Sequence, residues 1–286
     1  MKPIIIPDNY NYIAVFLTLA CNLKCSYCIN HFGKDNFSKR HLPGEKLVEG
    51  LNRIVSRPDL PITLQGGEPS LHKDFMHILN NLKPELNVDV LTNLQFDVDE
   101  FIQKVDPKRI KRDSPYASIR VSYHPETMTL KPLVDKVLKM LKAGFSIGIW
   151  GVTHPKQEAE ILRAQKHCKA LGIDFRLKEF LGEHNGDMYG TFRYDGACDK
   201  KFEKTVLCKT SEMIIGGDGS VYRCHSDIYE GRQAVGNITD PAYQIEDIFR
   251  ICHVFGHCNP CDIKVKTNRF QKFGHTSVEI KEVSPA

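Results

Sequence analysis

Cys21-Asn22-Leu23-Lys24-Cys25-Ser26-Tyr27-Cys28 follows directly on an apolar run at 13–19. Three thiols stand in the spacing C-x3-C-x2-C. Four thiolates would close a tetrahedral metal site. Three can hold an iron–sulfur cluster and leave one iron open to a ligand. A loop this tight does not easily meet the Cα separation and torsion of an internal disulfide. The alternative readings are a zinc knuckle and a chance group of buried thiols.

Outward from this loop, the first 180 residues alternate strand and helix patterns. Strands are read at 13–19, 61–65, 88–92, 117–122, 145–152 and 174–180. Apolar residues at helical spacing fill the intervals at 43–57, 74–82, 98–105, 133–141 and 157–171. Such alternation implies parallel strands joined by right-handed crossovers. A sheet of this kind curls into a partial or full barrel, with functional groups on loops at the strands' C-terminal ends. The cysteine loop lies at one such end, and Gly66-Gly67-Glu68-Pro69 lies at the next. Paired glycines let the backbone approach a ligand closely. In the fourth strand Arg120 and Ser122 alternate with Ile119 and Val121. One face is therefore polar, as expected of a barrel that encloses a polar cofactor.

Beyond residue 180 the character changes. Residues 181–207 are rich in glycine and aromatics, show no period, and read as a connector over the barrel mouth. From Cys208 the pattern is short-stranded. A hairpin is expected from 213–215 and 221–224 around Asp218-Gly219, a short helix at 245–255 and a loose tail at 263–286. Cys208, Cys224, Cys258 and Cys261 form a second thiol set able to close a four-coordinate site. Its readings are a second cluster or a structural zinc site, and His253 and His257 offer a mixed Cys/His form of the latter. Cys168 reads as a core thiol. Cys198 and Cys252 flank the set, and either could replace one of its members.

Composition narrows the classes. The chain has 286 residues, ten cysteines and a net charge of +4. That charge is too small to imply a nucleic-acid or membrane partner. Neither a secretory signal nor an apolar run of roughly 18 residues is visible. Many cysteines without an export signal favour metal ligation over disulfides, and a cytoplasmic location is expected.

The C-x3-C-x-aromatic-C motif after the first strand, with Gly66-Gly67-Glu68-Pro69 after the second, resembles the signature of radical S-adenosylmethionine (SAM) enzymes. The resemblance implies an open (β/α)6 barrel over 1–180 and a [4Fe–4S] cluster on Cys21, Cys25 and Cys28. In that family SAM chelates the fourth iron and is cleaved reductively to a 5′-deoxyadenosyl radical. By the same resemblance Tyr27 lies near the adenine, and Gly66, Gly67, Glu68 and Pro69 hold the SAM amino group. Thr92-Asn93-Leu94 matches the family's Thr-Asn-Gly turn, with Leu94 in place of glycine and Asn93 among the SAM-site residues. Ser122 is placed to bind the ribose or carboxylate, and Trp150 lies where the adenine packs.

The C-terminal half resembles twitch and SPASM domains. Cys208, Gly219 and Cys224 fit the opening C-x(9–15)-G-x4-C, and Cys258-x2-Cys261 follows. This implies a small α+β domain at 208–262 holding one auxiliary [4Fe–4S] cluster. The expected reaction is hydrogen abstraction from a small molecule such as a sugar or aminocyclitol, a net oxidation with the auxiliary cluster as electron acceptor. An external donor such as flavodoxin or ferredoxin is implied. The cysteine loop begins at residue 21, leaving no room ahead of it for a leader-binding domain. This tilts the expectation away from the first alternative, a ribosomally made peptide. The other is an electron carrier or scaffold that never cleaves SAM. His124, Arg176, Lys178, Glu179, Glu183, His184 and Tyr189 are candidates for a general base or substrate clamp, none singled out.

Overall fold

The computed structural model describes residues 2–29, 41–266 and 275–283. Six strands lie side by side in chain order: β1 (Tyr12–Thr18), β2 (Ile62–Gly66), β3 (Val88–Thr92), β4 (Ile119–Tyr123), β5 (Ile147–Thr153) and β6 (Phe175–Glu179). Every neighbouring pair is parallel. The crossovers carry α1 (Gly44–Leu51), α2 (Phe75–Asn81), α3 (Val98–Lys104), α4 (Leu130–Lys142) and α5 (Glu158–Ala170). Strand side chains alternate between two faces. Val15, Leu64, Val90, Val121 and Ile149 join one buried core with the apolar faces of the helices. The opposite face is polar and lines the lumen. This is the open α/β barrel that the alternation predicts.

The helix expected over 43–57 ends at Leu51. Ile54–Val55 leaves it and pairs in parallel with Ile4–Ile5. The buried Arg53 guanidinium fixes that exit by donating to the carbonyls of Lys2, Ile238 and Asp240.

The C-terminal part builds β7 (Lys204–Thr210), β8 (Glu212–Ile215), β9 (Ser220–Tyr222), α6 (His225–Tyr229), β10 (Arg250–Phe255), α7 (Pro260–Ile263) and β11 (Val278–Glu282). The expected hairpin is β8–β9, with Ile215 opposite Val221. β8 also adds in parallel to β1, Ile214 beside Ala14, and with β9 and the two-residue strand Gly236–Asn237 beyond it the barrel sheet has nine strands among the described residues. A second sheet has the order β10-β7-β11.

Three expectations are corrected here. The short helix at 245–255 is instead a strand over its second half. There Cys252 is buried between exposed Ile251 and His253, a period of two rather than 3.6. The loose tail contains β11, which occupies the second edge of β7 with Thr210 opposite Val278; residues 267–274 and 284–286 of it lie outside the described residues. The connector contains a hairpin, Gly182–His184 against Asp187–Tyr189. It turns on Asn185-Gly186, both at positive φ, the pair preferred for a tight hairpin of this hand. No helix among the described residues is long and apolar enough to cross a membrane.

Candidate active site

The loop after β1, the turn after β2 and the tip of β3 form one unit. Gly67 N–H donates to the Thr18 carbonyl at 2.9 Å, and Glu68 N–H donates to that of Ala20 at 2.8 Å. A Cβ on Gly66 would lie 2.1 Å from the Thr18 carbonyl oxygen, and one on Gly67 2.2 Å from that of Ala20. Only glycine allows this approach of backbone to backbone. Glu68 is fully buried. Its carboxylate accepts from Ser70 N–H (3.1 Å) and Ser70 Oγ (2.7 Å), and from Thr92 Oγ1 (2.8 Å) and Asn93 N–H (2.7 Å). Burial pushes this carboxyl above its usual range, and those four bonds pull it back only in part. Asn93 Nδ2 then donates to Asn22 Oδ1 at 2.7 Å, inside the cysteine loop.

Leu94 occupies the glycine position of the Thr-Asn-Gly turn and keeps its geometry, with φ at 57°. A left-handed leucine costs about 1–2 kcal/mol. Its side chain is fully buried in the barrel core, which offsets that strain.

The Cys25-to-Cys28 turn is held from β4's far end. Ser26 N–H and Oγ donate to the Glu126 carboxylate at 2.5 and 2.8 Å. Cys25 Sγ lies 3.9 Å from Thr127 Oγ1, and Cys21 Sγ accepts Leu23 N–H at 3.4 Å. Burial raises both thiols, Cys25 to about 12. Metal binding here must therefore displace protons. The Tyr27 hydroxyl meets His124 Nδ1 at 2.9 Å, and the His154 ring packs 5.1 Å from the Tyr27 ring. His184 packs 4.8 Å from His154, bringing the connector hairpin to the same corner.

Three free thiols on one loop suit an iron–sulfur cluster, since thiolate is its usual donor. The glycine turn beside them packs its backbone directly on that of the loop. Among the described residues no three His, Cys, Asp or Glu side chains are gathered at metal-binding distances.

The lumen is polar down its length. Ser122 and Trp150 are direct partners across β4 and β5, and Arg176 on β6 is the next partner of Trp150. The Arg176 guanidinium lies 5.8 Å from the centre of the Trp150 ring, which is 8% exposed. Deeper down, Asp89 accepts a bidentate pair of bonds from Arg112, both 2.8 Å, and lies 3.4 Å from Arg120. Lys178 has its ammonium held down at about 8, by burial first and then by the charge of Arg120. Phe16 on β1 packs against His225 and Tyr229 of α6, which closes this side of the lumen.

In the C-terminal part, Cys208, Cys224, Cys252 and Cys258 line one recess. Cys198 packs against the same buried cluster. Cys261, the fourth member of the expected set, lies on α7 outside that lining. His253 stands on a strand beside Thr205, while His257 bonds Glu203, so the two do not form a helical i,i+4 pair. Cys168 is buried under α5 as read. Asp262 ties the recess together by accepting from His225 N–H, His225 Nδ1 and Ser226 N–H at 2.8, 2.8 and 3.0 Å.

Sequence reasoning did not assign Asn22, Glu126 or His154 to this site. Their partners lie far along the chain, and no local motif marks them. Asn22 alone carried a signal, by standing within the cysteine motif.

Residues 15–174 match the family model of the Radical SAM superfamily. The GTP 3′,8-cyclase of Nautilia profundicola is 26% identical over 183 residues, covering 60% of this chain and 56% of that protein. A probable GTP 3′,8-cyclase of Methanocella arvoryzae is 39% identical over 82 residues, 28% of this chain and 26% of that protein. The chain thus spans about half the length, or less, of these curated relatives. Among solved structures, native anSMEcpe with bound AdoMet and Kp18Cys peptide aligns with a TM-score of 0.53 at 17% identity, covering 84% of this chain and 78% of that one. Streptococcus suis SuiB aligns with a TM-score of 0.51 at 13% identity, covering 84% and 64%.

Proposed function

The chain belongs to the radical SAM superfamily, and from that premise we propose that it oxidises a small molecule bound in the barrel lumen. The [4Fe–4S] cluster and SAM together supply a 5′-deoxyadenosyl radical, which removes a hydrogen atom from a substrate C–H bond. The observation that carries the reading is the lock of Glu68 and Asn93 on the cysteine loop beneath a polar lumen. A simple electron carrier needs neither.

Each part of the chain then has a task. Cys21, Cys25 and Cys28 hold three irons. Gly66 and Gly67 present backbone to SAM, and Tyr27, Ser122 and Trp150 border it. The charge of Arg120, which reaches Lys178 across the lumen, suits a substrate with a carboxylate or phosphate. Lys178 Nζ, held near 8, would in its neutral form take the proton that leaves with oxidation. A second cluster, held by the C-terminal thiols, would supply an acceptor for the remaining electron. The relatives' names support a small polar substrate, since GTP is one. The cytoplasm, with a flavodoxin or ferredoxin as donor, fits a site of free thiols.

The competing substrate is a ribosomally made peptide. β6 ends the order of the nine-stranded sheet, and a free sheet edge can accept an extended peptide. The test is 5′-deoxyadenosine release by the reduced, SAM-loaded protein with nucleoside triphosphates, sugar phosphates, aminocyclitols or peptides. Stimulation by a small molecule, with a product lighter by two hydrogens, supports the proposal. Stimulation by peptides alone overturns the small-molecule reading, and a product of unchanged mass overturns the oxidation.

A further inference from the structure

We infer that the second metal site is built on Cys208, Cys224, Cys252 and Cys258, with Cys261 outside it. The inference rests on the second cluster proposed above, but the choice of ligands comes from the packing.

One recess is lined by all four of these thiols, together with Arg223 and His257. Cys261 does not line it. The buried cluster around Val206, Phe255 and Val278 takes in these four thiols and Cys198, and again leaves Cys261 out. Sheet register explains why Cys252 belongs. Cys208 pairs with Arg250 and Val206 pairs with Cys252 across β7 and β10. Residues two apart share a face, so Cys208 and Cys252 are diagonal neighbours on one side of the sheet. Both are buried. Cys224 stands at the start of α6, and Ser226 Oγ donates to the His257 carbonyl at 2.7 Å, which draws the Cys258 segment alongside.

Two other thiols are excluded by their surroundings. Cys198 Sγ donates to the Cys258 carbonyl at 3.1 Å and is not on the recess lining. Cys261 is off the recess lining; besides burial it feels the charges of Lys266, Asp262, Glu212 and Lys178, of which only Asp262 is on that lining. Four soft thiolates close an iron–sulfur or zinc coordination sphere, and they gather negative charge. Arg223 and Arg232 bring positive charge to the same lining, both paired with Asp227, at 3.0 and 3.3 Å.

The test uses a Cys21→Ala/Cys25→Ala/Cys28→Ala background, in which only the second site can hold a cluster. After anaerobic reconstitution, Cys252→Ser should lose the bound metal and Cys261→Ser should retain it, with circular dichroism reporting the fold of each. Retention in Cys252→Ser, or loss in Cys261→Ser, overturns the assignment. If the background itself binds no metal, the second-cluster reading falls and the assignment falls with it. Differential alkylation of the metal-loaded wild-type protein gives an answer independent of variant folding. Cys252 should be protected and Cys261 labelled, and the reverse pattern overturns the inference.

Discussion

The Glu68 carboxylate accepts the backbone N–H of Asn93 at 2.7 Å, so the turn after β2 and the tip of β3 are fixed against each other. Glu68→Gln can keep the three bonds accepted by Oε1 but turns its amide N–H₂ toward the buried Asn93 N–H, which can only donate. Leaving buried donors unmet costs about 1–3 kcal/mol each. A loss of about 2–3 kcal/mol is expected from urea midpoints of the metal-free protein. An unchanged midpoint would show that the bond carries no stability.

Arg112 and Asp89 form the buried ion pair on the lumen floor. Arg112→Met leaves the Asp89 carboxylate with only Arg120 at 3.4 Å and the Tyr116 hydroxyl at 3.2 Å, and should cost about 2–3 kcal/mol. Adding Asp89→Asn in the same chain should restore much of it. If the double variant is no more stable than the single one, an uncompensated charge is not the cause.

His124 governs a pH response. Burial, then the charge of Lys178, lowers it to about 4, against about 6.5 in an unfolded chain. Between those values the unfolded state binds the extra proton. Stability is therefore fully present above about pH 6.5 and is lost as pH falls towards 4. Allowing for its partial exposure, the loss is on the order of 2 kcal/mol. His124→Asn should flatten the difference curve between pH 7 and 4, measured by chemical denaturation of the metal-free protein. Parallel curves for the two proteins would remove His124 from the account.

The barrel was legible because six apolar runs alternate with helical periods, and tertiary packing agreed with both. The cysteine loop and the glycine turn were legible because each is contiguous. What joins them was not. Asn93 finds Asn22 and Glu126 finds Ser26 across long separations, and register between distant strands decides such contacts. The strand at Arg250–Phe255 was misread because its apolar residues also fit helical spacing over so short a run. The Asn185-Gly186 hairpin is a different case, since the turn signal was present and the short strands beside it were too polar to draw notice.

Iron content separates the two thiol sets. Anaerobically reconstituted protein should hold about eight irons, and Cys21→Ala/Cys25→Ala/Cys28→Ala about four. A triple variant with no iron would place all of it at the first loop. A full complement in that variant would show that the loop holds none.

The central claim is that the cluster on Cys21, Cys25 and Cys28 has an iron open to SAM. The most direct measurement is the electron paramagnetic resonance spectrum of the reduced, reconstituted protein before and after SAM is added. One cluster signal should change its g-values on SAM addition, and that change should vanish in Cys25→Ser. A spectrum that SAM leaves untouched would contradict the claim.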